Sequence, residues 1–354
     1  MAVIKGTDKA ETKIGTSGAD SIYGYGGNDS LYGRAGNDQI WGGSGNDRVF
    51  GEAGNDVLRA EGDNDTVYGG VGNDVVYGGS GDDSLYGDAG TDTVKGDAGN
   101  DIVKGGTGIS YLYGGDGNDS LYYDPTTENI NKVKGYLADS LLDGDAGTDT
   151  LNIYNKATYT SGTTTKAAAT QVYMDGRNSA DIYFYNPTPD KYESIDVGHF
   201  QEVEKITVTG SGKLEFSGTY YSGKGIDITG TANNDVFRSY GASDTMRGAG
   251  GNDDFYASGG KDTIVSGTKD NDRFYFDATS PVDAKITGFN GAGEYGGDRI
   301  YFDNGWGPSI TSNINIEDGK TEFEIESSGE YSYGLTTVIV DAVGLEEGVD
   351  YFFI

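Results

Sequence analysis

Apolar residues recur along this chain at a spacing that belongs to neither an α-helix nor a long strand. From Gly15 to Tyr122 an aliphatic residue falls at every ninth position: Ile22, Leu31, Ile40, Val49, Leu58, Val67, Val76, Leu85, Val94, Val103, Leu112 and Leu121. In segments such as Ser30-Leu31-Tyr32 the three residues around it alternate outward, inward and outward, as a very short strand does. The other positions are nearly as regular over the twelve units. The first is Gly except at Ala60, the fourth Gly except at Asp63, and the sixth Asp except at Ser110. Two glycines three residues apart predict positive φ where the chain turns tightly with its carbonyls pointing inward. Turn plus strand makes half a coil, so eighteen residues complete one and units two apart stack with strands about 4.8 Å apart. Twelve units then give six coils, about 29 Å long. Residues 1–122 contain no proline, in keeping with a continuous hydrogen-bonded ladder.

The pattern changes after residue 122. Residues 123–229 keep one recognisable unit, Gly144-Asp-Ala-Gly147-Thr-Asp149-Thr-Leu151-Asn152, within a Tyr-, Thr- and Ser-rich stretch. Short alternating segments predict brief strands at Leu151–Ile153, Ile182–Phe184, Ile206–Val208, Leu214–Phe216 and Ile226–Ile228, a metal-free solenoid or a β insert. The run Ala167–Val172 is too short and uncapped to predict a helix. A more degenerate block follows over 230–275, with aspartates at Asp235, Asp244, Asp253, Asp262 and, after one extra residue, Asp272. Residues 276–354 read as a closing β cap, and residues 1–14 as a lead-in. The fold class is therefore all-β: a nonapeptide solenoid over 15–122, interrupted by the Tyr/Thr-rich region and closed by the C-terminal cap.

Composition narrows the chemistry. Among 354 residues there are 61 Gly, 5 Pro, 1 His and no Cys, and 25 Lys and Arg against 57 Asp and Glu leave a net charge of −32. There is no disulfide framework, no Cys/His zinc site and no cysteine nucleophile. So acidic a chain is not a nucleic-acid binder and needs counter-cations to stay compact. No run approaches 18 apolar residues, which excludes a membrane-spanning helix, and the first residues lack the apolar stretch of a secretory signal peptide. Aromatic residues at 12% argue against a disordered chain.

Stacking the coils brings the sixth-position aspartates into two rows. Asp20, Asp38, Asp56, Asp74 and Asp92 line one edge; Asp29, Asp47, Asp65, Asp83, Asp101 and Asp119 line the other. Neighbours in such a row repel by about 1 kcal/mol even at water's dielectric, and more when desolvated. A hard divalent cation between turns removes that repulsion. A cage of carboxylates and turn carbonyls, such as those of Gly24, Gly33, Gly42, Gly69 and Gly78, suits Ca²⁺ better than Mg²⁺. Binding many Ca²⁺ ions would then contribute folding free energy.

The pattern G-G-x-G-x-D-x-U-x resembles the RTX (repeats-in-toxin, hemolysin-type) calcium-binding family, and Gly69-Gly-Val-Gly72-Asn-Asp74-Val-Val76-Tyr77 matches it position for position. The resemblance implies a right-handed parallel β-roll with Ca²⁺ between turns. It places side-chain ligands at the aspartates above and at Asp149, Asp235, Asp244, Asp253, Asp262 and Asp272, with weakened sites near Asp63 and Ser110. The stretch Ile286–Phe289 and Gly297-Asp298-Arg-Ile300-Tyr-Phe302-Asp303 is similar to segments that end the β-roll in serralysin-like secreted proteins. The ending Asp350-Tyr-Phe-Phe-Ile354 resembles the C-terminal signal of type I secretion substrates; its plainer reading is a final strand on the cap. Together these imply export by a bacterial type I secretion machinery to an extracellular, Ca²⁺-rich space.

No catalytic set stands out. His199 is the single histidine, no H-E-x-x-H or G-x-S-x-G motif occurs, and with the repeats starting at Gly15 no catalytic domain is expected ahead of them. The abundant carboxylates leave glycoside chemistry open by inventory, with 123–229 as its place. The ninth position reads Tyr23, Tyr32, Trp41, Phe50, Arg59, Tyr68, Tyr77, Tyr86, Lys95, Lys104, Tyr113 and Tyr122. Such rows are either a contact surface for polysaccharide or another copy, or cross-strand pairs that support the sheet. The leading expectation is a secreted, non-enzymatic, Ca²⁺-dependent structural or adhesive protein of the cell surface or matrix, surface-layer-like or adhesin-like. The alternatives are a secreted effector or membrane-active protein, and a polysaccharide-modifying enzyme.

Overall fold

The computed structural model describes residues 1–108, 110–123, 141–146, 149–155, 225–267, 270–277, 282–290 and 297–303, with strand segments between 158 and 217 and between 310 and 353. Every regular element among them is a β-strand. The chain divides into two units, Met1–Thr158 with Ile195–Lys205, and Tyr159–Ser194 with Ile206–Ile354.

In the first unit, alternate strands feed two parallel sheets. One contains Val3–Lys5, Ser21–Gly26, Gln39–Ser44, Val57–Gly62, Val75–Ser80, Asp92–Ala98 and Ser110–Asp116; the other contains Thr12–Ile14, Ser30–Ala35, Arg48–Ala53, Thr66–Val71, Ser84–Ala89, Ile102–Lys104 and Ser120–Tyr123. The register advances by eighteen residues per coil, as in Ser21↔Gln39 and Ser30↔Arg48. This is the parallel β-roll that the nonapeptide pattern calls for. All twelve eighth-position side chains from Ile22 to Leu121 have 0% exposure. Each contributes about 1.5–3 kcal/mol relative to an exposed state.

Two details depart from the sequence reading. Most strands are six residues long rather than three, because pairing resumes beyond the turn-entry glycine, as in Arg34↔Glu52 and Ala35↔Ala53. The positive φ angles fall at the second and fourth positions, not at the first and fourth. Tyr25, Arg34, Glu52, Glu61, Asp88 and Asp97 all hold φ between 69° and 83° at the second position. Such conformations cost about 1–2 kcal/mol for an ordinary residue and persist because the stacked ladder over-determines them. Gly54 (φ 147°) shows the fourth-position demand. The first-position glycine answers a different need, described below.

The predicted strands of the Tyr/Thr-rich region are present, and it is not a uniform solenoid. Ala169–Met174 pairs antiparallel with Ser179–Tyr185, which suits the β insert of the two expected arrangements better than a continued solenoid. His199 lies in Ser194–Gln201, whose backbone pairs in parallel with Leu141–Ala146.

In the second unit, Leu214–Ser217, Val236–Tyr240, Asp254–Ser258, Arg273–Asp277 and Arg299–Asp303 pair in parallel. The core changes from aliphatic to aromatic: Phe237, Phe255 and Phe274 are fully buried, with ring centroids 4.9 and 5.2 Å apart. Ile310–Glu317, Lys320–Ser327 and Leu335–Val340 form an antiparallel cap joined to Asp283–Thr287. Tyr351–Phe353 pairs in parallel with Arg299–Asp303, so the closing aromatic residues form a strand.

Candidate metal centres

Every sixth-position aspartate of the first block is buried, from Asp20 to Asp119, at 2% exposure or less. Burying a carboxylate is costly unless it is compensated. One oxygen of each is compensated in a repeating way: the Oδ1 atom accepts a backbone N–H from one coil earlier, that of Ala2 for Asp20, of Glu11 for Asp29 and of an aspartate thereafter. Asp38, Asp56, Asp74 and Asp92 serve Asp20, Asp38, Asp56 and Asp74 at 2.7–2.9 Å. Asp47, Asp65, Asp83, Asp101 and Asp119 do the same for the other row at 2.7–2.8 Å. Asp149 Oδ1 accepts from Asp119 N–H at 2.8 Å across thirty residues of sequence, so the row survives the end of the repeat. On the opposite edge the row meets Ser110, whose hydroxyl supplies no carboxylate.

The second oxygen carries the functional signal. From Asp29 to Asp101, and at Asp253, the buried Oδ2 atom has no hydrogen-bond partner. From Asp29 to Asp101, apart from Asp65 whose unit opens with Ala60, it points over the first-position glycine of its own turn, where the carbonyl of the next coil's first-position residue also arrives. A Cβ placed on Gly33 would lie 2.5 Å from Asp38 Oδ2 and 2.7 Å from the Gly51 carbonyl oxygen. For Gly51 both distances, to Asp56 Oδ2 and the Gly69 carbonyl, are 2.5 Å, and for Gly69 both, to Asp74 Oδ2 and the Gly87 carbonyl, are 2.7 Å. The carbonyls of Gly24, Gly33 and Gly42 approach Gly6, Gly15 and Gly24 in the same manner, and Gly78 stands at that turn position in its own unit. The glycine thus keeps that space open: a methyl group there, which Ala60 carries in its own unit, would crowd the cradle in which two oxygens converge without a donor between them. That donor set, all oxygen and net negative, fits a hard divalent cation.

The electrostatics agree. Burial first, and neighbouring carboxylates second, raise these groups well above the ordinary range. Asp38, Asp47, Asp56 and Asp83 stand at about 6, Asp92 and Asp101 at about 7 and Asp65 at about 8. Asp20, in the first turn of its row, is instead lowered by the N–H groups of Thr16 and Ala2.

The degenerate block keeps the construction. Asp253 Oδ1 accepts from Asp235 N–H, Asp262 from Asp244, and Asp272 from Asp253, at 2.7–3.0 Å. Asp244 and Asp235 receive N–H groups of Ile226 and Leu214. The row then runs one step further than the sequence reading took it, to Asp298, whose Oδ1 accepts from Asp272 N–H at 2.9 Å. Asp298 precedes Arg299–Asp303 as a sixth-position aspartate precedes its strand, a signal hidden by the 26 residues that separate it from Asp272. Sequence reasoning also missed a second ladder. Fifth-position side chains bridge coils, with Asn37 Oδ1 accepting Asn55 N–H at 3.0 Å and Asn55 Oδ1 accepting Asn73 N–H at 2.9 Å.

A parallel roll with buried carboxylate rows and carbonyl-lined cradles defines a calcium-binding β-solenoid. Residues 6–40, 14–49, 41–76, 61–94, 68–103, 95–125 and 229–264 match the RTX calcium-binding nonapeptide repeat family (4 copies). Over those residues the chain carries RTX repeats, and these repeats bind several calcium ions. No curated protein matches it at a significant level. No helix among the described residues is long and apolar enough to cross a membrane.

The ninth-position rows are also resolved. Tyr32, Phe50, Tyr68 and Tyr86 stack with centroids 4.6–5.1 Å apart and planes within 10° of parallel. Lys104 Nζ continues the row, 5.1 Å from the Tyr86 ring and 4.7 Å from Tyr122. On the other sheet Arg59 lies between Trp41 and Tyr77. The ring faces are turned to one another along the solenoid, and the ring edges face outward.

Proposed function

We propose that this protein is a secreted, non-enzymatic, Ca²⁺-dependent structural protein that assembles at the cell surface or in the extracellular matrix, in the manner of a surface-layer or adhesin component. The observation that carries the reading is the line of buried Oδ2 atoms without donors from Asp29 to Asp101. These atoms make the compact roll conditional on calcium. Asp20 through Asp119, Asp149, Asp235, Asp244, Asp253, Asp262 and Asp272 act as the side-chain ligands, with first-position carbonyls completing each cage. Extracellular calcium modules work at about 10⁻⁴–10⁻³ M, so the chain stays unfolded in a calcium-poor cytosol and folds after export by the type I route. The outward ring edges favour another copy of the chain over a polysaccharide as the partner, because sugar rings stack on aromatic faces and these faces are covered.

The test is a calcium titration of metal-free protein followed together by circular dichroism and light scattering. A gain of β signal with scattering, reversed by chelator, supports Ca²⁺-driven assembly. A gain of β signal with a strict monomer overturns assembly and turns attention to a secreted effector or to an activity within 123–229.

A further inference from the structure

Among the described residues, one group of three carboxylates gathers more closely than any single repeat cradle does. Asp270, Asp272 and Asp298 are all buried, and one carboxylate oxygen from each falls within 4.8 Å of the others. Asp272 and Asp298 belong to the row already described; Asp270 does not. It occupies the fourth position of Gly267-Thr-Lys-Asp270-Asn-Asp272-Arg-Phe274-Tyr275, where eleven of the twelve units of the first block carry glycine. Its side chain folds back over Gly267, with the carboxyl carbon 3.0 Å from where a Gly267 Cβ would stand. In the first block a sixth-position carboxylate holds that place. Asp270 is only 9% exposed, and its Oδ1 has no hydrogen-bond partner.

The donors around the cluster fall short of its charge. Ser266 Oγ lies 2.6 Å from Asp272 Oδ2 and 2.9 Å from Asp298 Oδ2, yet a hydroxyl has one proton to give. Asn290 N–H reaches Asp298 Oδ2 at 3.0 Å, and Gly267 N–H reaches Asp272 Oδ2 at 3.3 Å. None of these donors serves Asp270 Oδ1. Three buried carboxylates held together with that shortfall favour a bound cation.

We propose that Asp270, Asp272 and Asp298, with Ser266 beside them, form a separate calcium site that fills at lower free Ca²⁺ than the repeat cradles. Affinity in all-oxygen calcium sites rises with the number of charged ligands. A cradle sets one sixth-position carboxylate against its glycine, whereas this site gathers three carboxylates. Its ligands come from two segments, 270–272 and the turn before Arg299–Asp303, so the ion clamps the last degenerate repeat to the strand that begins the cap. The site is independent of the surface role proposed above.

The experiment is equilibrium dialysis of the full chain against buffered free Ca²⁺, with circular dichroism on the same samples, for wild type, Asp270→Asn and Asp270→Gly. Asp270→Gly installs the residue that the repeat itself uses at this position, so it decides the matter should Asp270→Asn fail to fold. The wild type should bind one ion at free Ca²⁺ about tenfold below the cooperative transition of the repeats. Both variants should lose that ion while the transition keeps its midpoint and amplitude. Retention of the early ion in Asp270→Gly, or the absence of an early ion from the wild type, overturns the proposal.

Discussion

Asp56 offers the sharpest test of why the roll depends on calcium, because a single substitution should act in opposite directions with and without the ion. Its Oδ1 accepts Asp38 N–H at 2.7 Å, and its Oδ2, buried and without a donor, faces the Gly69 carbonyl across Gly51. Asp56→Asn keeps the first bond, removes the charge and places an N–H donor where Oδ2 stood. Burial, with a smaller contribution from Asp74, lifts the carboxyl to about 6. A displacement of about two pKa units corresponds to roughly 3 kcal/mol, or about 2 kcal/mol once solvent screening is allowed for. The metal-free roll should therefore gain about 2 kcal/mol at pH 7.5. The calcium-loaded roll should bind at least one ion fewer and lose stability. The assay is folding of chelated protein by an osmolyte, followed by circular dichroism, beside ion counting by dialysis; Asp56→Ala, which also loses the hydrogen bond, serves as the control. An Asp56→Asn protein no easier to fold without metal, and holding as many ions as wild type, would show that the carboxylate is only a backbone acceptor.

Other outcomes follow from the same geometry. The folded-state values of about 6 to 8 for Asp38, Asp47, Asp56, Asp65, Asp83, Asp92 and Asp101 lie above the unfolded value, so their contribution to metal-free stability is greatest below about pH 4 and is lost as pH rises through 6 to 8. Chelated protein should accordingly gain β signal on acidification from pH 8 to 5, and calcium affinity should weaken over the same range. Gly69→Ala, at a position without positive φ, should cost one calcium site by crowding Asp74 Oδ2 and the Gly87 carbonyl, read as a lower ion count in dialysis. Leu85→Ala, at 0% exposure, should lower the stability of the calcium form by about 2–5 kcal/mol in urea unfolding.

Much of the first unit was legible because each of its constraints repeats every nine residues. The eighth-position core and the two aspartate rows need only the period and the eighteen-residue coil. The role of the first glycine was misread because steric exclusion by a neighbouring coil and left-handed φ leave the same letter in a sequence. Positive φ at Tyr25 or Arg34 leaves no letter at all, since stacking imposes what propensity does not favour. Asp298 escaped notice because its row is continuous in space and not in sequence. Asp270 stands where most repeats carry glycine, and only its place over Gly267 points to it as a ligand. The hairpin of Ala169–Met174 with Ser179–Tyr185 was hidden because brief alternating strands look alike whether they pair in parallel or antiparallel.

The carboxylate rows count coils rather than residues. Successive members stand eighteen apart in the repeats, yet thirty apart between Asp119 and Asp149, nineteen between Asp253 and Asp272, and twenty-six between Asp272 and Asp298, with the same Oδ1 bond each time. A segment spliced in at a turn therefore leaves the period of the edge untouched, provided that the chain returns to the next rung. Such a fold can carry extra sequence between its rungs, as it does between Asp119 and Asp149, and take up the same bond on the far side.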